Sequence, residues 1–181
     1  LFESASSLAA SGSILRTLLA NPHYGAHLEA RGGQQGVYVG YSQGARYSGL
    51  IATRLAVFDA QRDIARTLGD GGHPYVITHS RGGNVARGGA RIDALLRGAP
   101  PETVNGVLRL TEQGETISQS YGLRPNAMRT LERAFGALAP ATLQRRQGLA
   151  GTEPPAARAC VEQLARRSGE VWQQRMVRDR D

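Results

Sequence analysis

The stretch Pro74-Tyr75-Val76-Ile77-Thr78-His79-Ser80-Arg81-Gly82-Gly83-Asn84-Val85-Ala86-Arg87-Gly88-Gly89 decides how this chain reads. Tyr75 to Thr78 is a short apolar run that favours a β-strand. It leads into Arg81-Gly82-Gly83 and Arg87-Gly88-Gly89, and a helical pattern with Ile92, Leu95 and Leu96 follows. A strand, a glycine-rich loop and a helix form an oxyanion cradle: glycines let the backbone come close to a ligand, and N–H groups supply partial positive charge. Arginine adds a planar fork that grips phosphate or carboxylate through two bonds. Arg81, Gly82, Gly83, Arg87, Gly88 and Gly89 are therefore the candidate anion-binding residues.

Arg31-Gly32-Gly33 is a third such triplet, and Arg-Gly-Gly segments also bind single-stranded RNA. Those segments are long, polar and disordered, whereas each triplet here stands alone beside an apolar periodic segment. Nucleic acid is not the favoured partner.

A short strand pattern, Gly36 to Tyr41, runs into the polar turn Ser42-Gln43-Gly44-Ala45-Arg46. Ser48 or Gly49 then opens a helix carrying Ile51, Leu55, Phe58, Ala65 and Leu68. Upstream, Leu1-Phe2-Glu3 reads as a strand end presenting a carboxylate. One helix is expected over Ser4 to Ala20, ended by Asn21-Pro22, and a second from Pro22 through Ala30. Downstream, Val104 to Thr111 is expected to be extended. A helix from Asn126 to Leu138 carries the stripe Met128, Leu131, Phe135 and Leu138 and stops before Pro140. Gly148 to Pro155 reads as a loop, and Pro155 to Arg178 as a last helix with Val161, Leu164, Val171 and Trp172. These stripes are expected to be core.

Strands alternate with helices, and polar motifs recur just after the strands. That order predicts a helix-rich α/β fold with a parallel sheet and chemistry at the C-terminal strand ends. The strands near Val37 to Tyr41 and Tyr75 to His79 should be parallel neighbours that gather Glu3, Gln43 and Arg81 at one end. The strands are too few for a closed eight-stranded barrel. The expected organisation is residues 1–147 as a partial barrel with the Arg-Gly-Gly loop, and residues 148–181 as a linker and helix continuing the same domain.

The 181 residues suit one domain or part of a larger one, and a hydrophobic content of 40% suits a folded chain. No apolar run approaches a membrane span and no signal peptide is visible. Leu1 stands in mid-pattern without an initiating Met, so a chain cut from something longer is expected. Cys160 is the single cysteine, which excludes an intrachain disulfide. His23, His27, His73 and His79 show no zinc spacing. The formal charge is +7, and all 22 basic residues are Arg. Anionic partners are implied, while a lysine base, a Schiff base and a P-loop lysine are excluded from this span.

Several motifs resemble the phosphoenolpyruvate carboxylase family in order and approximate spacing: Leu1-Phe2-Glu3, Gly40-Tyr41-Ser42, the His79 to Gly89 loop, Pro100-Pro101, Asn105-Gly106 and Leu108 to Glu115. The similarity covers Leu1 to about Ala141 and, more weakly, the remainder. Members are several times longer, and the matching part is a segment of their active-site half. The resemblance implies part of a TIM-type α/β barrel with additional helices, in a cytoplasmic homo-oligomer, with the remainder of the same polypeptide as a partner. It implies carboxylation of phosphoenolpyruvate by bicarbonate to oxaloacetate and phosphate, with Mg or Mn as cofactor. Carried over by position, Glu3 matches a metal-binding carboxylate. Arg81 and Arg87 match the loop arginines that hold the phosphoryl and carboxyphosphate groups, and His79 matches the histidine before the loop.

The chain departs from the family at the turn Gly-Tyr-Ser-Asp-Ser-x-Lys-Asp. Here Gln43 stands at the second metal carboxylate, Arg46 at the active-site lysine and Tyr47 at the following acid. Ser80 and Ala86 replace loop glycines. An amide can ligate a metal but brings no charge, so weakened or lost Mg or Mn binding is expected. Arg46 joins His79, Arg81 and Arg87 as a candidate catalytic residue. Three readings stay open: a carboxylase with an altered site, a relative acting on another phosphorylated or carboxylated substrate, and an inactive paralogue with a binding or regulatory role.

Overall fold

The computed structural model describes residues 1–149 and 151–178. Its frame is a parallel sheet in the order β1 (Gln35–Gly40), β2 (Tyr75–Ser80) and β3 (Arg109–Thr111). Gly40 sits level with Ser80, and Ser80 with Thr111, so the three strands end together. Phe2 extends the sheet by a parallel bridge to Val39: its N–H donates to Tyr38 O at 2.9 Å, and Gly40 N–H donates to Phe2 O at 2.8 Å. The residues following each strand, Glu3, Tyr41, Arg81 and Glu112, therefore emerge at one edge.

The N-terminal helical stretch is two helices, α1 (Ala5–Ala9) and α2 (Ser11–Leu19). The expected single helix breaks at Ala10, and α2 turns to pack on the long helix that follows β1. α3 (Pro22–Ala30) starts at an Asn21 cap whose Oδ1 accepts from His23 and Tyr24 N–H.

The residues expected to form a polar turn after β1 form α4 (Ser42–Ser48) instead. Short and polar, α4 owes its end to tertiary partners. Trp172 Nε1–H donates to Arg46 O at 2.9 Å, and Gln173 Nε2 donates to Tyr47 O. α5 (Leu50–Asp70) presents two faces. Val57, Ala60, Ile64 and Leu68 pack with Val37, Val39 and Ile77 of the sheet and with Leu8 and Leu15. Ile51, Leu55 and Phe58, half-buried, line a cavity on the other side.

A one-turn 3-10 helix (Val85–Arg87) lies inside the glycine loop, followed by α6 (Ile92–Arg97) and a second such turn at Pro101–Thr103. The extended run expected over Val104 to Thr111 is strand only at its last three residues. α7 (Gly114–Tyr121) and α8 (Arg124–Arg146) follow. α8 continues through Pro140, which lacks the N–H for an i→i−4 bond and crowds the carbonyl of Gly136. The expected core stripe on α8 is on the outside, with Phe135 72% exposed. α9 (Pro155–Trp172) ends in a π-helical turn (Gln173–Arg178). Val161, Leu164 and Val171 are exposed, and the buried contact of α9 is Ala165. Arg158 grips Asp59 of α5 through two bonds of 2.6 and 2.7 Å. Ala165, the ion pair and, of the expected stripe, Trp172 dock this helix.

No helix among the described residues is long and apolar enough to cross a membrane.

Candidate anion-binding cleft

At the C-terminal edge of the sheet lies a cleft of about 820 Å³. Glu3, Gln43, Arg46 and Arg87 all line it, together with Asn84, Gln113 and Trp172. The fold thus unites four of the residues singled out from sequence. Glu3 Oε1 accepts the backbone N–H of Gln43 at 3.1 Å, which ties the first strand end to α4. Gly40 makes this possible: a Cβ there would lie 2.7 Å from Glu3 Cγ. Neither the Arg46 nor the Arg87 guanidinium has a protein carboxylate partner among the described residues. Both forks remain available to a ligand anion.

The glycine loop folds back on itself. Gly82 N–H donates to Arg87 O at 2.8 Å, Gly88 N–H to Val85 O at 3.2 Å and Gly89 N–H to Asn84 O at 2.7 Å. Asn84 Oδ1 accepts Arg87 N–H at 3.0 Å. In this arrangement the amides of Gly82, Gly88 and Gly89 hold the loop's shape, and that shape directs the Arg87 side chain into the cleft. Gly88 has φ +83° and lies against the Tyr41 ring, so it needs both the left-handed region and the missing Cβ.

Arg81 takes another course. It is 8% exposed, and its Nη2 donates to Ala90 O at 2.7 Å. Its Nε lies 3.2 Å from Glu112 Oε1, close enough for an ion pair but off hydrogen-bond alignment, and Nη1 has no partner. Arg81 thus sits behind the cleft, in a small cavity it shares with Glu112, Arg91 and Arg133.

His79 is also buried, and its Nδ1 is 3.0 Å from Tyr41 Oη. Burial, reinforced by the Arg81 charge, lowers its pKa to about 4. Burial likewise raises Tyr41 to about 12, against the opposing pull of Arg54 and Arg81. The two form a neutral couple at physiological pH, so His79 contributes hydrogen bonding rather than charge. The Arg54 guanidinium lies 5.1 Å from the Tyr41 ring centroid, and its Nη2 reaches Val85 O at 3.4 Å. α5 thereby supports the loop from behind.

Sequence reasoning missed Asn84, Gln113 and Trp172. Gln113 lies two residues past β3, as Gln43 lies three past β1, so the strand-end rule had the information to find it. Trp172 lies 126 residues from Arg46, and no local pattern links them.

As a site for Mg or Mn the cleft is poor in anionic donors. Among the described residues Glu3 is its one acid, Gln43 is neutral, and two guanidinium groups share the space. Among the described residues no three His, Cys, Asp or Glu cluster as metal ligands. Hard divalent cations need several oxygen ligands, carboxylates prominent among them. The residues present do not fit such an ion.

The family model described as phosphoenolpyruvate carboxylase matches residues 1–181. The phosphoenolpyruvate carboxylase of Xanthomonas oryzae pv. oryzae (strain MAFF 311018) is 40% identical over 146 residues, covering 81% of this chain and 16% of that protein. That of Rhodothermus marinus is 36% identical over 169 residues, covering 93% of this chain and 18% of that protein. That of Corynebacterium diphtheriae (strain ATCC 700971 / NCTC 13129 / Biotype gravis) is 34% identical over 174 residues, covering 96% and 19%. The chain thus spans less than a fifth of the length of these relatives. A match over the whole chain, with relatives 34–40% identical over most of it, leads to one conclusion: the chain belongs to the phosphoenolpyruvate carboxylase family.

Proposed function

We propose that this chain forms the anion-gripping wall of an enzyme that carboxylates phosphoenolpyruvate with bicarbonate, giving oxaloacetate and phosphate. The observation that carries the reading is the placement of Arg46 and Arg87, without a carboxylate partner among the described residues, in a cleft at the C-terminal ends of parallel strands. In the reaction a bicarbonate oxygen attacks phosphorus and the enol C–O···P linkage breaks, giving carboxyphosphate and an enolate. Carboxyphosphate splits into CO2 and phosphate, and the enolate carbon captures CO2. Arg87 is proposed to hold the phosphoryl group through its fork. Arg81, its charge balanced by Glu112, fixes the loop from behind through Ala90. Neutral His79 positions Tyr41 beneath the loop. Arg46 stands where the family has lysine, and its always-charged guanidinium serves as a cation and not as a base.

The same reading places β1 to β3 in a TIM-type barrel completed by the remainder of a longer polypeptide, in a cytoplasmic homo-oligomer. Residues 148–181 continue the domain formed by residues 1–147, a view the Arg158–Asp59 pair supports.

The second reading is a relative that acts on another phosphorylated or carboxylated substrate, or that binds without turnover. Gln43 and Arg46 in the cleft favour it. An assay of oxaloacetate formation by the intact protein decides. The carboxylase reading expects oxaloacetate, diminished about 100-fold by Arg87→Ala. Binding of phosphoenolpyruvate without oxaloacetate supports the second reading, and neither binding nor turnover removes both.

A further inference from the structure

The charge arrangement of the cleft carries an inference that rests on its being the substrate site. Its single carboxylate among the described residues, Glu3, is already engaged with the Gln43 N–H at 3.1 Å. The position facing it offers an amide, and Arg46 and Arg87 line the same volume. A divalent cation placed here would meet one anionic donor and two fixed cations. A ligand anion would meet two forks and three neutral amide side chains, those of Gln43, Asn84 and Gln113. Arg46 is held for this purpose: the carbonyl of Arg46 accepts from Trp172 Nε1, which fixes the backbone from which its side chain departs.

We propose that the cleft binds its phosphate- or carboxylate-bearing anion without a divalent metal, the Arg46 guanidinium supplying the countercharge that a carboxylate-held cation would otherwise supply. Arg87 is the second fork. Glu3 acts as a strand-end brace for α4 rather than as a metal ligand. Gln43 completes the exchange, because a carboxylate in its place would repel the anion or neutralise Arg46.

The test is calorimetric titration of the intact protein with phosphoglycolate, a non-reacting phosphate carrying a carboxylate, once in EDTA and once in excess Mn. The expected result is the same affinity in both, within about twofold, and a loss of about tenfold or more in Arg46→Gln, as removal of a charged hydrogen-bond donor predicts. Mn titrated alone should not bind the unaltered protein. It should bind after Gln43→Asp combined with Arg46→Gln, a variant whose thermal melting shows whether it is folded. Anion binding that appears only with Mn, or tight Mn binding by the unaltered protein, overturns the inference while leaving the cleft as the substrate site. No phosphoglycolate binding under either condition overturns the substrate-site reading and this inference with it.

Discussion

Tyr41 Oη and His79 Nδ1 lie 3.0 Å apart at the ends of neighbouring parallel strands, sealed beneath the glycine loop. Burial holds the imidazole neutral, with a pKa near 4 against an ordinary value of 6.5. Between those pH values the unfolded chain binds a proton that the folded chain does not. Stability is therefore complete above about pH 6.5, declines as the pH falls to about 4 and then levels off with respect to this group. The full loss is roughly 3 kcal/mol. Urea midpoints measured across that window should fall in the unaltered protein and stay flatter in His79→Gln. Equal slopes in the two proteins would remove His79 as the titrating group.

Gly88 lies against the Tyr41 ring of this couple. At φ +83°, with a Cβ that would sit 2.7 Å from the Tyr41 ring, it leaves no room for a side chain. Gly88→Ala should cost about 2–5 kcal/mol, the sum of left-handed strain and overpacking. Denaturant unfolding measures it. A change below about 0.5 kcal/mol, the usual range of a neutral surface substitution, would show that the loop does not rest on Tyr41 as described.

The attachment of α9 to α5 rests on Arg158 and Asp59, in a partly exposed bidentate pair. Solvent screening limits such a pair to about 1 kcal/mol. Asp59→Ala should lower global stability by no more than that, yet it should speed proteolytic cleavage in the segment between α8 and α9, because the restraint it removes is local. Unchanged cleavage would mean that the contacts at Trp172 and Ala165 suffice to hold the helix.

The parallel neighbours β1 and β2, the loop after β2 and the sharing of one edge by Glu3 and Gln43 were legible because each is written in a contiguous pattern: an alternating or apolar run, then Gly, Arg or a carboxylate. α4 was not legible. Ser42-Gln43-Gly44-Ala45-Arg46 carries no apolar stripe, and its last carbonyls are satisfied by Trp172 and Gln173 from far along the chain. The stripes of α8 and α9 predicted burial, yet Phe135 and Leu164 are exposed, because periodicity marks an apolar face without saying which surface covers it. Arg81 and Arg87 look equivalent in sequence. Glu112 and the Ala90 carbonyl draw one behind the cleft, while the turn at Asn84 aims the other into it.

Trp172, the single tryptophan of this chain, lines the cleft beside Arg46 and Arg87. The part of the emission that Trp172→Phe removes therefore reports occupancy of the site on which the account depends. Titration of the protein with phosphoenolpyruvate, followed by Trp172 fluorescence, should give a saturable change that Arg87→Ala abolishes at the same concentrations. Emission that stays flat through saturating phosphoenolpyruvate, or a titration unaltered by Arg87→Ala, would contradict the claim that this cleft grips the substrate anion.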